Sequence, residues 1–272
     1  MSSDEQAGTT TYDHVRLTRH DEAGHLVELV LDRPEALNAL STALARDIAA
    51  ATTALAAEPA LRAVVVSSAS EKAFCVGADL KERNSFSDED LLAQRPHFRA
   101  AFGGILDLPV PTVAAVHGFA LGGGLELALS CDLIVCDETA VLGLPEVTVG
   151  VIPGGGGTQL LTRRLGSSRA ADLVFTGRRL DVDEAFRLGL ADRRVAAGGD
   201  RDEALALART IAANSPVGVR NAKRALRQGS ALDLAAGLEV EDTAWRATAF
   251  SGDRVEGVAA FNEKRRPDWP GR

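Results

Sequence analysis

Two glutamates and two glycine clusters lie close together in the sequence and have the chemistry expected of a catalytic site. The glutamates are Glu126 and Glu146, and the glycines are Gly122–Gly124 and Gly154–Gly157. Glycine at the start of a helix leaves backbone N–H groups approachable, so such a turn can bind negative charge. A carboxylate among apolar neighbours is costly unless it is paired or has a chemical task. This combination predicts a site that binds negative charge and transfers protons.

The two carboxylates can divide the work of proton transfer. Glu126 lies in the first turn of a predicted helix, and Glu146 directly precedes the apolar run Val147–Ile152. The structural alternatives are a charge that interacts with the helix dipole for Glu126 and a charge near a helix N-cap for Glu146. When two carboxylates share one pocket, one can accept a proton while the other donates one.

Backbone N–H groups from two segments are candidates for an oxyanion hole. One is Gly123, although the glycines around it could also serve only tight packing of the turn. The other is Ala78, in the loop Phe74–Leu80, which bends at Gly77. Each donor of an oxyanion hole typically stabilises the transition state by roughly 3–4 kcal/mol. The sequence contains no dinucleotide-binding fingerprint, Walker loop, GxSxG elbow, HExxH motif or cluster of metal-ligating residues.

The elements that must position these residues alternate between strands and helices. Apolar patterns predict strands at Val15–Leu17, His25–Leu31, Ala63–Ser67, Thr112–Val116, Leu133–Cys136 and Ala140–Leu144. Helices are predicted from an N-cap at Ser41 to about Ala57, from an N-cap at Asp88 to about Leu106 and from Leu125 to about Ser130. After Thr158 the pattern is helical throughout. The order predicts an α/β core over 13–200 and a helical region over 201–272, after a disordered N-terminus at 1–12.

Composition predicts a soluble globular protein that binds neither nucleic acids nor membranes. Of the 272 residues, 46% are hydrophobic and 25% are charged, and the formal net charge is −8. Nucleic acids and anionic membranes favour basic surfaces, so this charge argues against both. No apolar run approaches the ~18 residues that span a bilayer, and the first residues do not resemble a signal peptide. With three cysteines expected to be buried and reduced, these features predict a cytoplasmic location.

Five stretches of the chain resemble the enoyl-CoA hydratase/isomerase (crotonase) family, in the order expected of that family. These stretches are LDRPEALNALS at 31–41, KAFCVGADLKER at 72–83, PVPTVAAVHGFALGGGLELALSCDL at 109–133, LGLPEVTVGVIPGGGGTQLL at 142–161 and AFNEKRRP at 260–267. The resemblance covers the chain from about residue 13 to its end. It implies a spiral of ββα units with a helical C-terminal trimerisation region, and a homotrimer or a homohexamer that is a dimer of trimers.

The resemblance also assigns candidate site residues. The N–H groups of Ala78 and Gly123 resemble oxyanion-hole donors to an acyl thioester oxygen, and Glu126 and Glu146 resemble the carboxylate pair of a hydratase. The N–H of Gly154 resembles a donor that positions the catalytic water. Residues that resemble contacts of coenzyme A are Ala36, Leu37, Asp79, Leu80 and Lys81, together with Phe261 and Lys264, which often reach a neighbouring subunit. The implied partner is an acyl-CoA thioester, and the implied reaction uses no metal and no further cofactor.

Within the family, the chain most resembles the methylglutaconyl-CoA hydratases, for example in KAFCVGADLKER and DRVEGVAAFNEKRRP. The implied activity is hydration of a 2-trans-enoyl-CoA to a 3-hydroxyacyl-CoA, in fatty-acid or branched-chain acyl-CoA degradation. Two alternatives stay open. A Δ3-Δ2 enoyl-CoA isomerase needs, by resemblance, only the carboxylate at Glu146, so Glu126 favours the hydratase. A non-catalytic protein that binds CoA thioesters or RNA is disfavoured, because Glu126 and Glu146 are both present and because the alanine-rich helix at 41–59 has one arginine and no lysine.

Overall fold

The computed structural model describes residues 8–272, in which two β-sheets are surrounded by helices. The larger sheet contains, in spatial order, β1 (Thr9–Thr11), β2 (Val15–Arg19), β3 (Leu26–Leu31), β4 (Ala63–Ser68), β6 (Thr112–Val116), β8 (Leu133–Asp137) and β11 (Arg193–Val195). The first three strands are antiparallel and the pairs from β3 onward are parallel. The smaller sheet contains β10 (Arg179–Asp181), β9 (Val141–Gly143), β7 (Phe119–Leu121) and β5 (Ala73–Cys75).

The helices follow the strands in the order that the sequence predicts. They are α1 (Thr42–Ala56), α2 (Leu80–Arg83), α3 (Asp88–Leu106), α4 (Gly123–Ser130), α5 (Gly157–Leu165), α6 (Ser167–Thr176), α7 (Val182–Leu188), α8 (Asp200–Ala212), α9 (Pro216–Gly229), α10 (Leu234–Ala249) and α11 (Gly252–Glu263). Short 3-10 helices cover Pro34–Ala36 and Pro145–Val149. Within residues 8–272, no helix is both long and apolar enough to cross a membrane.

The central strands of the larger sheet, β3, β4, β6 and β8, are buried on both faces, which explains why they are nearly continuously apolar. Alternate residues of a strand point to opposite faces. In β4, Val64 and Val66 therefore belong to the main core together with α1, α3 and α4. The intervening Val65 packs on the other face, against Leu205 and Ala208 of α8. The main core fixes the relative positions of α3 and α4, which carry much of the site described below.

The structure confirms the predicted α/β class and the main predicted elements, and it corrects three details. The predicted disorder over 1–12 is wrong for Thr9–Thr11, which form β1 and pair with β2; residues 1–7 lie outside the described residues. The predicted loop at Phe74–Leu80 begins as strand β5 and ends in α2. The N-cap of α3 is Ser87, because its side chain and that of Asp90 form a capping box.

The structure groups α8 with the core, whereas the sequence assigned its residues to the C-terminal helical region. Helices α9 to α11 carry the exposed large apolar side chains Leu226, Leu234, Leu238, Trp245, Phe250, Val255, Val258 and Phe261. Helix α9 is attached to the core by Lys223, whose Nζ lies 2.8 Å from the carbonyl oxygen of Val110 and 2.8 Å from Oδ2 of Asp132. An oligomerisation role for these helices stays a prediction.

Candidate active site

A cavity of about 370 Å³ lies between α3, the turn before α4 and the segment 145–155. Both glutamates predicted from the sequence line it. Ala78, Gly123 and Gly154 also line it. The structure therefore brings all five predicted catalytic residues to the wall of one cavity, although they come from three separate segments of the chain.

The loop after β5 and the turn before α4 approach each other through glycines. Gly77 and Gly122 have φ angles of 90° and 53°, in the left-handed region that favours glycine. A Cβ atom on Gly77 would lie 2.8 Å from the carbonyl oxygen of Leu121 and 3.3 Å from the nitrogen of Gly123. In the described part of the chain, neither the N–H of Ala78 nor that of Gly123 donates a backbone hydrogen bond. Both donors are therefore free to bind an oxygen atom in the cavity.

Glu126 is held by the second glycine cluster. Its side chain is 3% exposed, and its Oε1 accepts hydrogen bonds from the N–H groups of Gly155 at 2.7 Å and Gly157 at 2.8 Å. Burial raises the pKa of Glu126, and the two N–H groups oppose that increase. A Cβ on Gly157 would lie 2.9 Å from Oε1, so the bare backbone is what lets the cluster reach the carboxylate. The sequence had indicated only the N–H of Gly154.

Glu146 has no such partners. It lies in the 3-10 helix that follows β9, and both its carboxylate oxygens are buried without a hydrogen-bond partner among residues 8–272. Burial raises the pKa of Glu146 to about 7, and the charge of Glu126 adds to the increase. A carboxyl group with this pKa carries a proton for part of the time at neutral pH. It can therefore act as an acid in one direction of a reaction and as a base in the other.

One face of α3 forms a wall of the cavity through Leu91, Arg95, Phe98 and Phe102. Their spacing of four, three and four residues places them on one side of a helix. The sequence predicted this helix but did not single out the arginine. The signal that could have identified Arg95 is an arginine within an otherwise apolar helical stripe. Its Nη1 donates to the carbonyl oxygen of Gly154 at 3.0 Å.

A second arginine, Arg83 at the end of α2, also lines the cavity. Its Nε donates to Oε1 of the buried Gln94 at 2.9 Å, and its guanidinium carbon lies 5.0 Å from the ring centroid of Phe98. Burial and the like charge of Arg95 lower the pKa of Arg83. This arginine was also absent from the residues singled out in the sequence.

The structure brings together the predicted coenzyme A contacts from the first part of the chain. The N–H of Val76 donates to the carbonyl oxygen of Leu37 at 3.3 Å, so the segment with Ala36 lies beside the loop that leads to Leu80. The carboxylate of Asp79 is already engaged, because it caps α2 and binds Nη1 of Arg33 at 2.7 Å. That carboxylate therefore serves the loop itself, and the N–H of Asp79 is engaged as well, because it donates to the carbonyl oxygen of Leu40 at 2.9 Å.

Three further predicted contacts have different surroundings. Lys81 is exposed in α2 and does not line the cavity. Phe261 lies in α11 and Lys264 is its C-cap, and neither lines the cavity of its own chain. That these two residues reach a ligand of a neighbouring subunit stays a prediction.

Known proteins resemble the chain over most of its length. A sequence model of the family described as enoyl-CoA hydratase/isomerase matches residues 21–272. The mouse enoyl-CoA hydratase domain-containing protein 2, mitochondrial, is 42% identical over 251 residues, which cover 91% of this chain and 85% of the relative. The human methylglutaconyl-CoA hydratase, mitochondrial, is 40% identical over 266 residues, which cover 96% of this chain and 78% of the relative.

The same likeness appears in three dimensions. The crystal structure of an enoyl-CoA hydratase from Bacillus anthracis matches with a TM-score of 0.92 at 39% sequence identity, over 95% of this chain and 100% of that chain. This match confirms the predicted crotonase-like fold class.

Proposed function

Because the chain belongs to the enoyl-CoA hydratase/isomerase family, we propose that it is a hydratase that converts a 2-trans-enoyl-CoA to a 3-hydroxyacyl-CoA. The observation that carries this proposal is the pair Glu126 and Glu146, which line one cavity together with free backbone donors. An isomerase needs one carboxylate to move a proton within its substrate. A hydratase must also handle a water molecule, for which a second carboxylate is suited.

The N–H groups of Ala78 and Gly123 bind the thioester oxygen of the substrate. Negative charge develops on this oxygen as the enoyl system is attacked, because the thioester becomes enolate-like. Gly123 is the first residue of α4, so the positive end of the helix adds to the stabilisation. Donors fixed by the packing of Gly77 against Gly123 need little reorganisation when the charge appears.

Glu126 orients and activates the water molecule. Its Oε1 is occupied by Gly155 and Gly157, whereas Oε2 accepts no hydrogen bond from the described side chains and backbone, which leaves it for the water. As the water oxygen bonds to C3, Glu126 accepts a proton from it. Glu146 delivers its own proton to C2 on the same side of the double bond. Exchange with solvent then restores the protonation state of both carboxyl groups.

Several finer features belong to the same proposal. The substrate is an acyl-CoA thioester of fatty-acid or branched-chain acyl-CoA degradation, and the reaction uses no metal and no additional cofactor. The protein is a homotrimer or homohexamer in the cytoplasm, and it binds neither nucleic acid nor membranes. Support for the oligomer comes from the exposed apolar side chains of α9 to α11, which an aqueous surface does not favour.

Loss of the conjugated thioester absorbance of crotonyl-CoA tests the hydratase directly, and conversion of a 3-enoyl-CoA tests the isomerase. Glu126→Gln should remove most hydratase turnover but leave proton transfer by Glu146, so isomerase activity would persist in that variant. CoA-ligand binding should stay close to that of the unmodified protein. If no enoyl-CoA of any chain length is hydrated, the hydratase proposal is wrong. Isomerase activity would then favour the isomerase, and binding without turnover would favour a non-catalytic protein.

A further inference from the structure

Arg95 and Glu126 hold opposite ends of one peptide group. Nη1 of Arg95 donates to the carbonyl oxygen of Gly154 at 3.0 Å, and the N–H of Gly155 donates to Oε1 of Glu126 at 2.7 Å. That carbonyl and that N–H belong to the same planar unit. The guanidinium and the carboxylate are therefore connected through two hydrogen bonds and one rigid peptide.

We propose that Arg95 is a positioning residue for hydration, which fixes the 154–155 peptide against Glu126. The inference rests on the proposed hydratase function. It assigns no contact between Arg95 and the reacting atoms. Its effect on turnover passes through the peptide and through the charge that the arginine places near the carboxylate.

The glycines around this peptide explain why it needs an external tether. Residues 154–157 are all glycine, and glycine has more backbone freedom than any other residue. Among residues 8–272, the carbonyl oxygen of Gly154 accepts a hydrogen bond from Arg95 alone. If that bond is lost, the peptide can rotate and withdraw the N–H of Gly155 from Glu126. The carboxylate would then lose both a partner and a fixed direction.

Close packing of α3 against the 154–155 peptide determines where Arg95 contacts it. A Cβ on Gly154 would lie 2.6 Å from Nη1 of Arg95, and a Cβ on Gly155 would lie 2.3 Å from the ring of Phe102. Both side chains come from the cavity-facing side of α3. The missing side chains of the two glycines are therefore what allows α3 to contact this peptide.

An ion pair does not explain the position of Arg95, because within the described chain its guanidinium forms no salt bridge and donates to a backbone carbonyl oxygen, that of Gly154. The charged groups that face Glu126 are Arg95 from α3, Arg83 from α2 and Glu146 from the 3-10 helix. The charge of Arg95 lowers the pKa of Glu126, against the larger effect of burial. Its removal should therefore make Glu126 harder to ionise.

The test compares Arg95→Gln, Arg95→Lys and the control Arg99→Gln. Arg99 is exposed on the same helix and makes no side-chain hydrogen bond or ion pair within residues 8–272. Arg95→Gln should lower kcat for crotonyl-CoA hydration by up to about 100-fold, since small misplacements of catalytic groups cost rates of this order. KM should change little. The acidic limb of the plot of kcat against pH should move to higher pH. Arg95→Lys keeps the charge, so its kcat and its acidic limb should both lie closer to those of the unmodified protein.

Thermal melting first establishes whether the variants are folded. If Arg95→Gln keeps kcat and the acidic limb of the unmodified enzyme, the inference is overturned. A loss of kcat that is equal in the Gln and Lys variants, without a shift of the limb, would also overturn it, because only a structural role remains. Lack of hydration by the unmodified protein would instead refute the proposed function. If Arg95→Gln does not fold, the Lys variant carries the test through the same pH profile.

Discussion

Oε1 of Glu146 lies against the backbone of Gly122, so closely that a Cβ on this glycine would be 3.1 Å from it. Gly122 directly precedes Gly123, whose N–H is a candidate oxyanion donor. The carboxyl group that we propose transfers a proton is therefore packed on the turn that carries the proposed donor. Because neither oxygen of Glu146 has a partner in the described residues, the neutral form of this side chain is favoured there.

We expect hydration of crotonyl-CoA to slow as the pH rises through about 7. Burial raises the pKa of Glu146 to about 7, and the protonated form is the donor to C2. Hydration consumes no net proton, so its equilibrium constant does not depend on pH, and kcat/KM for dehydration of 3-hydroxybutyryl-CoA should fall in parallel. A profile of kcat/KM for hydration against pH measures this. Glu146→Gln should reduce either rate by about 10²- to 10⁴-fold, and a profile of the unmodified protein that stays flat through pH 7 would contradict the assigned role.

Gly124→Ala should destabilise the protein. A Cβ at this position would lie 1.9 Å from the carbonyl oxygen of Cys75, so α4 would have to move away from β5. Overpacking of this kind typically costs about 1–3 kcal/mol. Gly103→Ala is a matched control inside α3, where the nearest atom would be 3.9 Å away. At this position alanine should increase the free energy of unfolding, by as much as about 1 kcal/mol. Urea unfolding of both variants provides the measurement, and equal changes would speak against the packing argument.

His117 should make the free energy of unfolding depend on pH. Its Nδ1 lies 2.9 Å from Oδ2 of Asp200 and its Nε2 lies 2.6 Å from the carbonyl oxygen of Ser70. Both nitrogens can donate only in the imidazolium form. The hydrogen bond to Asp200 is the main reason that the pKa of His117 is raised to about 9.

Since this pKa exceeds the ordinary value of 6.5, the stabilisation is complete below pH 6.5 and is lost as the pH rises through about 9. Urea unfolding between these two pH values should therefore show a larger loss of stability in the unmodified protein than in His117→Gln. The two proteins share all other titrating groups, so the difference between their pH dependences comes from His117. Parallel pH dependences in the two proteins would show that His117 contributes nothing in this range.

The apolar surface of α9 to α11 should be covered in the assembled protein. Trp245 of α10 is 63% exposed in the single chain, and burial of large apolar side chains drives association. Trp245→Glu should therefore convert a trimer or hexamer to smaller species in sedimentation velocity. Thr53→Glu adds the same charge at an exposed position of α1 and should leave the assembly intact. A monomeric unmodified protein would contradict the proposed oligomer.

Features that depend on local chemistry could be predicted from the sequence. The run Val64–Val66 marks a buried strand because both faces of a parallel sheet are covered. Ser41 marks the start of α1 because its side chain accepts a hydrogen bond from the N–H of Leu44. Glu126 and Glu146 were recognisable because an ionisable group in an apolar context needs a reason to be there.

Individual contacts between distant segments could not be predicted from the residues, and a shared site for Ala78 and Gly123 was expected only from the family resemblance. Gly154 and Gly155 are adjacent and identical residues, so the sequence does not show which N–H faces Glu126; only the path of the backbone decides this. The contact of Arg95 with this segment joins parts of the chain that are far apart in sequence. Strands β7 and β10 have three residues each, which is too few for a period of two to be visible.

The unpartnered carboxyl group of Glu146 also sets a limit on how robust the folded protein can be. Above pH 7 it becomes a buried negative charge without a counterpart, a penalty that the unfolded chain does not carry. At such pH, Glu146→Gln should melt at a higher temperature than the unmodified protein while being inactive. The natural glutamate thus lowers resistance to heat while it supports turnover. A search for thermostable variants without an activity screen would therefore select against catalysis at this position.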